Sequence, residues 1–190
     1  MQTPAWVVGP SLTVVQHVAL LRGIGPGNPK MQNPELVRVL NSIGLHDVTA
    51  VISSGNYIFH SDERDRSVLE KHIETALEDH LGNACSAIVR SRRQIEDLCR
   101  MDVFDAFDDG PTDRCHVTFL QQRPAGNERL PADGDGYRVL GVRRNSVFLV
   151  VDSTQSRTPE VMRLMEKTYG KQITTRTWRT VQRIRRSFDS

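Results

Sequence analysis

Three short stretches carry residue types that could do chemistry. In ALLRGIGPGNPKM (19–31), Arg22 and Lys30 flank the alternating glycines Gly23, Gly25 and Gly27. Glycines let main-chain N–H groups approach an anion at a helix N-terminus, with the two cations as counter-charges. The spacing matches neither GxxxxGK[ST] nor GxGxxG, because no glycine stands three residues after Gly25. The plainer reading of this loop is a strand-to-helix connection that needs positive φ angles. In Ser53-Ser54-Gly55-Asn56, Ser54 and Asn56 place hydrogen-bonding groups at a strand end, yet glycine and asparagine also serve turns for backbone reasons alone. In ITTRTWRTVQRIRRSF (173–188), Trp178 sits between Arg176 and Arg179, a mixture able to stack on a base and clasp phosphates. The competing reading is a terminal helix whose arginine face is solvated and complements its dipole.

No catalytic constellation stands out. The histidines at 17, 46, 60, 72, 80 and 116 make no HExxH or other ligand spacing. Cys85, Cys99 and Cys115 are widely spaced without CxxC, which suits a reducing, cytoplasmic setting and small core residues. Asp102, Asp105, Asp108 and Asp109 lack an EF-hand pattern, so a solvated linker is expected there, and neither metal nor cofactor.

The elements that would position these groups follow from periodicity. Thr13–Leu21 reads as a buried strand. Asn33-Pro34-Glu35 opens a helix with Asn33 as N-cap, and Gly44 closes it. Residues 47–60 read as a tight β-hairpin about Ser54-Gly55. A second helix starts at Ser61-Asp62-Glu63 and ends before Gly82; a strand near 86–89 and a helix near 92–101 follow. The order β-α-β-β-α-β is that of a split βαβ, or ferredoxin-like, unit. After an acidic linker at 106–113, strands at 115–120, 137–142 and 146–151 follow, then a helix at 158–169 capped by Thr158. A strand near 173–175 and a closing helix at 177–188 end a comparable half, in which 121–136 is a long polar loop. The expected fold class is therefore α+β, two tandem ferredoxin-like halves (13–105 and 114–190) behind an extension at 1–12.

The 190 residues, 38% hydrophobic and 25% charged, suit a globular chain of one or two domains. No apolar run approaches the roughly 18 residues needed to cross a bilayer. The net charge of +2 hides an asymmetry: residues 1–110 hold 10 basic against 15 acidic residues, and 111–190 hold 15 against 8. A half at +7 would attract an anionic partner or dock on the acidic half of its own chain.

Taken together, ALLRGIGPGNPKM (19–31), LVRVLNSIGLHDVTAVISSGNYIF (36–59), HVTFL (116–120) and TTRTWRTVQRI (174–184) resemble the bacterial family called domain of unknown function 1697. The resemblance runs from about Val15 to Ile184 and implies two ferredoxin-like halves, with no activity, cofactor or partner attached. Its motif residues fall on Arg22, Gly23, Lys30, Met31, Ser54, Gly55, Asn56, Thr175, Arg176 and Trp178. Two departures accompany it: the family's RGINVGG is RGIGPGN here, and Thr177 replaces an asparagine after TTR. The functional expectation is binding of a nucleotide or nucleic-acid phosphate by Arg22, Lys30, Ser54, Asn56, Arg176, Trp178 and Arg179. The alternatives are an enzyme acting on a small phosphorylated or carboxylated substrate, with His17 or His116 as the titratable group, and a homodimeric scaffold.

Overall fold

The computed structural model describes residues 14–25, 27–53, 55–122, 133–154 and 158–190. Pro26, Ser54, the extension at 1–12 and most of the polar loop at 121–136 lie outside the described residues. The first sheet contains β1 (Val15–Arg22), β2 (His46–Ala50), β3 (Asn56–Ser61) and β4 (Ser86–Ser91), antiparallel throughout, in the order β2-β3-β1-β4. Helices α1 (Asn33–Ser42) and α2 (Arg66–Leu81) connect β1 to β2 and β3 to β4, and α3 (Arg92–Cys99) follows β4. The second sheet is also antiparallel and repeats the order as β6-β7-β5-β8, from β5 (Asp113–Leu120), β6 (Tyr137–Arg143), β7 (Ser146–Asp152) and β8 (Ile173–Thr177). Helix α4 (Thr158–Tyr169) joins β7 to β8, and α5 (Trp178–Ser187) follows β8 as α3 follows β4. The protein is thus mixed α+β, with two four-stranded antiparallel sheets and five α-helices among the described residues.

Strand alternation explains the apolar run of β1, whose successive side chains point to opposite faces of the sheet. Ala19 and Leu21 enter the core beneath α1 and α2, with Leu36, Leu40, Ile73 and Leu77. Val18 and Leu20 enter a central core shared with Val117, Phe119 and Phe148 of the second sheet. Ile95 and Leu98 of α3 and Val181 and Ile184 of α5 complete that shared layer. A third core lies between the second sheet and α4, around Leu149, Val161 and Met165. The two sheets are held by one hydrophobic layer as well as by the chain between them. In that connecting segment Phe104 is 5% exposed and packs with Phe148 and Trp178.

Several local expectations are corrected. The hairpin at 47–60 is not tight: β2 ends at Ala50 and β3 begins at Asn56, with Val51 N donating to Asn56 O across the loop. Asn33 is not the cap of α1, because Gln32 occupies that position without a side-chain bond. Asn33 instead accepts a hydrogen bond from Tyr57 Oη at 2.9 Å and donates to Ile52 O, pinning the helix start to the sheet. Helix α2 starts at Arg66, with Asp65 capping Ser67 N. Ser61 stays in β3 because it pairs with Val15 of β1. In contrast, the turn at Arg144-Asn145 forms as the sequence predicts, with φ of 49° and 59° suiting a tight hairpin.

Candidate functional site

Strand β8 brings the threonine–arginine motif to the edge of the second sheet that meets the end of β1. Arg176 points to the central-core face, since its register partner is Val117. Its Nε donates to Asn56 Oδ1 at 2.6 Å, and Nη2 donates to Leu21 O at 2.7 Å and Gly55 O at 3.1 Å. Nη1 donates to Thr174 Oγ1 at 2.7 Å and Thr175 O at 2.9 Å. A guanidinium has five N–H donors, and here each has an acceptor. Every acceptor is neutral, and burial pushes the Arg176 pKa down to about 10. Gly55 allows this approach: its φ is +70°, and a Cβ there would stand 3.1 Å from Leu21 O and 3.3 Å from Leu21 Cβ. Asn56 is 1% exposed, and its amide also donates to Val51 O.

Arg22 makes the reciprocal reach from the first sheet to the second. Its Nη1 donates to Lys171 O and Nη2 to Glu166 Oε1, both at 2.7 Å. Both side chains are about one-third exposed, 32% and 34%. Partly solvated ion pairs contribute little, so Arg22→Ala is expected to cost at most about 1 kcal/mol. A thermal melt of the variant checks this.

On the α4 side of β8, Arg22, His116, Met162, Glu166, Thr175 and Thr177 line a groove of about 360 Å³. His116 is 5% exposed, with Nδ1 3.0 Å from Arg114 O, and burial holds its pKa below the ordinary value. The groove therefore has a neutral imidazole, but its cation is already paired with its carboxylate.

Between α3 and α5 lies a larger groove of about 530 Å³, lined by Cys99, Arg100, Asp102, Trp178, Gln182, Arg185 and Arg186. Trp178, Gln182 and Arg185–Arg186 recur at helical spacing and so share one wall of it. The indole packs against Phe104, ring centroids 5.1 Å apart, which fixes its orientation. Arg100 is held by Asp97 and Glu96, whereas neither Arg185 nor Arg186 forms an ion pair among the described residues.

The family model described as "Protein of unknown function (DUF1697)" matches residues 14–148. The chain belongs to that family. No curated protein matches it. Among solved structures it is similar to the conserved bacterial protein SP0830 from Streptococcus pneumoniae, with a TM-score of 0.70 and 20% sequence identity. That likeness covers 93% of this chain and 99% of the other. At this identity the likeness concerns the fold.

In this DUF1697 chain the residues singled out from sequence do not form one cleft. Arg22, Asn56 and Arg176 converge at the junction of the sheets, where their polar groups bind one another's halves. Lys30 lies apart, its Nζ reaching His80 O at 3.4 Å. Arg179 is tied to Asp109, with Nε 3.4 Å from Oδ2 and Nη2 donating to the main-chain O. Trp178 faces the α3–α5 groove. The sequence reading missed Arg100, Gln182 and Arg185 of that groove; the four-residue step from Trp178 to Gln182 was the available signal for the α5 wall.

Proposed function

We propose that this protein binds nucleic-acid phosphate along the α3–α5 groove, with Trp178 as a stacking surface and Arg185 and Arg186 as phosphate ligands. The observation that carries this reading is a roughly 530 Å³ groove that combines a fixed indole with two guanidiniums lacking internal partners. The C-terminal end of α5 offers them only about half a negative charge. Most of their charge is left for an external anion, and residues 111–190 reinforce it with a net +7. Arg176, whose five donors are committed to the chain itself, and Arg22, which is tied to Lys171 and Glu166, act in this reading as clasps between the halves.

The repeated strand order, with a helix between the third and fourth strands in each sheet, supports tandem ferredoxin-like halves at 13–105 and 114–190. The absence of disulfides among Cys85, Cys99 and Cys115, whose thiols burial pushes up to about 11, accords with a reducing cytoplasm.

The test is anisotropy of a labelled single-stranded oligonucleotide titrated with the protein over a salt series. Each phosphate neutralised contributes about −0.7 to the slope of log affinity against log salt, so two or three contacts predict a slope of about −1.4 to −2.1. Charge reversal in Arg185→Glu with Arg186→Glu is expected to weaken binding more than about tenfold. Absence of binding by the wild type at low salt ends this reading.

A further inference from the structure

A third, smaller pocket opens between the two sheets, lined from α3 by Gln94, Ile95 and Leu98. Its volume is about 210 Å³, below the roughly 300–1,000 Å³ typical of sites for drug-sized ligands. Arg66, Arg90, Gln94, Arg144 and Ser146 supply its polar lining, and no aspartate or glutamate lines it. Its floor is apolar, formed in part by Ile95 and Phe119.

The polar groups here are donors with little to donate to. Ser146 is 0% exposed, and its Oγ has no hydrogen-bond partner. Arg90 is 2% exposed and donates to Val89 O, Leu120 O and Asn145 O, which leaves two of its five N–H groups unassigned. Its guanidinium carbon lies 5.8 Å from the centroid of the Phe119 ring. Arg66, at the first turn of α2, forms no hydrogen bond or ion pair among the described residues. Gln94 spends its amide oxygen on Ser91 N in the α3 capping box, so its NH2 is free to donate. Arg144 is the one cation already paired, through Nη1 to Asp97 Oδ2 at 2.6 Å.

Charge bears on the same point. Burial depresses the pKa of Arg90 to about 10; the repulsion from Arg66 adds to this and outweighs the attraction of Glu70. Glu70 acts on both Arg66 and Arg90 from outside the lining, and burial raises its own pKa, so the pocket wall itself holds cations and no carboxylate. Planar guanidinium forks are matched to the oxygens of phosphate.

We propose that the pocket between the sheets binds a phosphate monoester, its phosphate clasped by Arg66, Arg90 and Ser146 and its organic part resting on Ile95 and Phe119. The site is separate from the α3–α5 groove, and its ligand is a small molecule.

Isothermal titration calorimetry with inorganic phosphate, phenyl phosphate and malonate tests this. Saturable binding of both phosphates is expected, with phenyl phosphate the tighter because the floor is apolar. Arg66 makes no internal bond, so Arg66→Gln should fold normally and weaken binding by about tenfold to a hundredfold, the loss of one charged hydrogen bond. Ser146→Ala should weaken binding in the same direction. The Arg185→Glu, Arg186→Glu protein should bind phenyl phosphate as the wild type does. The proposal is overturned if the wild type shows no saturable binding, if Arg66→Gln binds unchanged, or if the groove variant loses the ligand. Equal affinity for the two phosphates would overturn the monoester, and tighter binding of malonate would overturn phosphate.

Discussion

Arg176→Met is expected to lower the unfolding free energy by about 3 kcal/mol, the upper end of the cost of leaving buried neutral acceptors without their donor. Methionine fills most of the volume but donates nothing. Asn56 Oδ1, Thr174 Oγ1 and the carbonyls of Leu21, Gly55 and Thr175 each lose a bond from a charged donor. Replacing a buried ion pair by apolar residues can be neutral because both charges go at once. Here the cation takes its own burial penalty with it, but its neutral acceptors stay behind without a donor, so the net effect is still a loss. Arg176→Lys separates charge from geometry: three donors on a tetrahedral ammonium cannot satisfy five acceptors arranged around a plane. An intermediate loss of about 2 kcal/mol is expected for it. Urea denaturation monitored by circular dichroism, compared at equal m-values, measures both. A loss below about 1 kcal/mol for the methionine variant would show that the clasp does not hold the sheets together.

The same clasp shows how far this fold could be read from its residues. The buried strands announced themselves by apolar runs, because β1, β5 and β7 bury both faces, and the Arg144-Asn145 turn by an asparagine, which tolerates positive φ. The amphipathic faces of α4 and α5 were equally legible, since Val161, Met165, Val181 and Ile184 recur at helical spacing and are all buried. Side chains that serve distant segments were not legible. Asn33 has a capping side chain by type, yet its hydrogen bonds go to Ile52 and Tyr57. Arg176 has a phosphate-binding side chain by type, yet its acceptors lie up to 155 residues away in sequence. A guanidinium fits a phosphate and a set of carbonyls equally well, and only the tertiary fold decides between them. Arg90 carried a usable signal, a charged residue ending the apolar strand Ser-Ala-Ile-Val-Arg, but its neighbours Arg66 and Arg144 come from a helix and a turn with no shared motif.

Acid should destabilise this protein well above the range in which its carboxylates titrate, and His17 is the expected cause. His17 is 2% exposed, stacked on Phe59 at 5.5 Å, and neither ring nitrogen has a hydrogen-bond partner among the described residues. Burial first, then the charge of Arg66 and of His60, lowers its pKa from 6.5 to about 4. The unfolded chain therefore takes up a proton near pH 6.5 that the folded chain refuses until about pH 4. Stability is unaffected by this group at neutral pH, falls as pH drops through 6.5, and levels off below about 4. The full loss is about 3 kcal/mol. His116, also held low by burial, acts in the same direction. Glu70 acts in the opposite one, because burial raises its pKa and protonation relieves the penalty as pH falls towards its ordinary value of 4.5. Comparing the wild type with His17→Leu isolates the imidazole from both. The leucine variant removes two unpartnered nitrogens, so at pH 7 it should match or exceed the wild type in stability. Between pH 6.5 and 4 the two curves should diverge by about 3 kcal/mol in favour of the variant. Guanidinium chloride midpoints at each pH measure the divergence, and parallel curves would mean that His17 is protonated in the fold or solvated there.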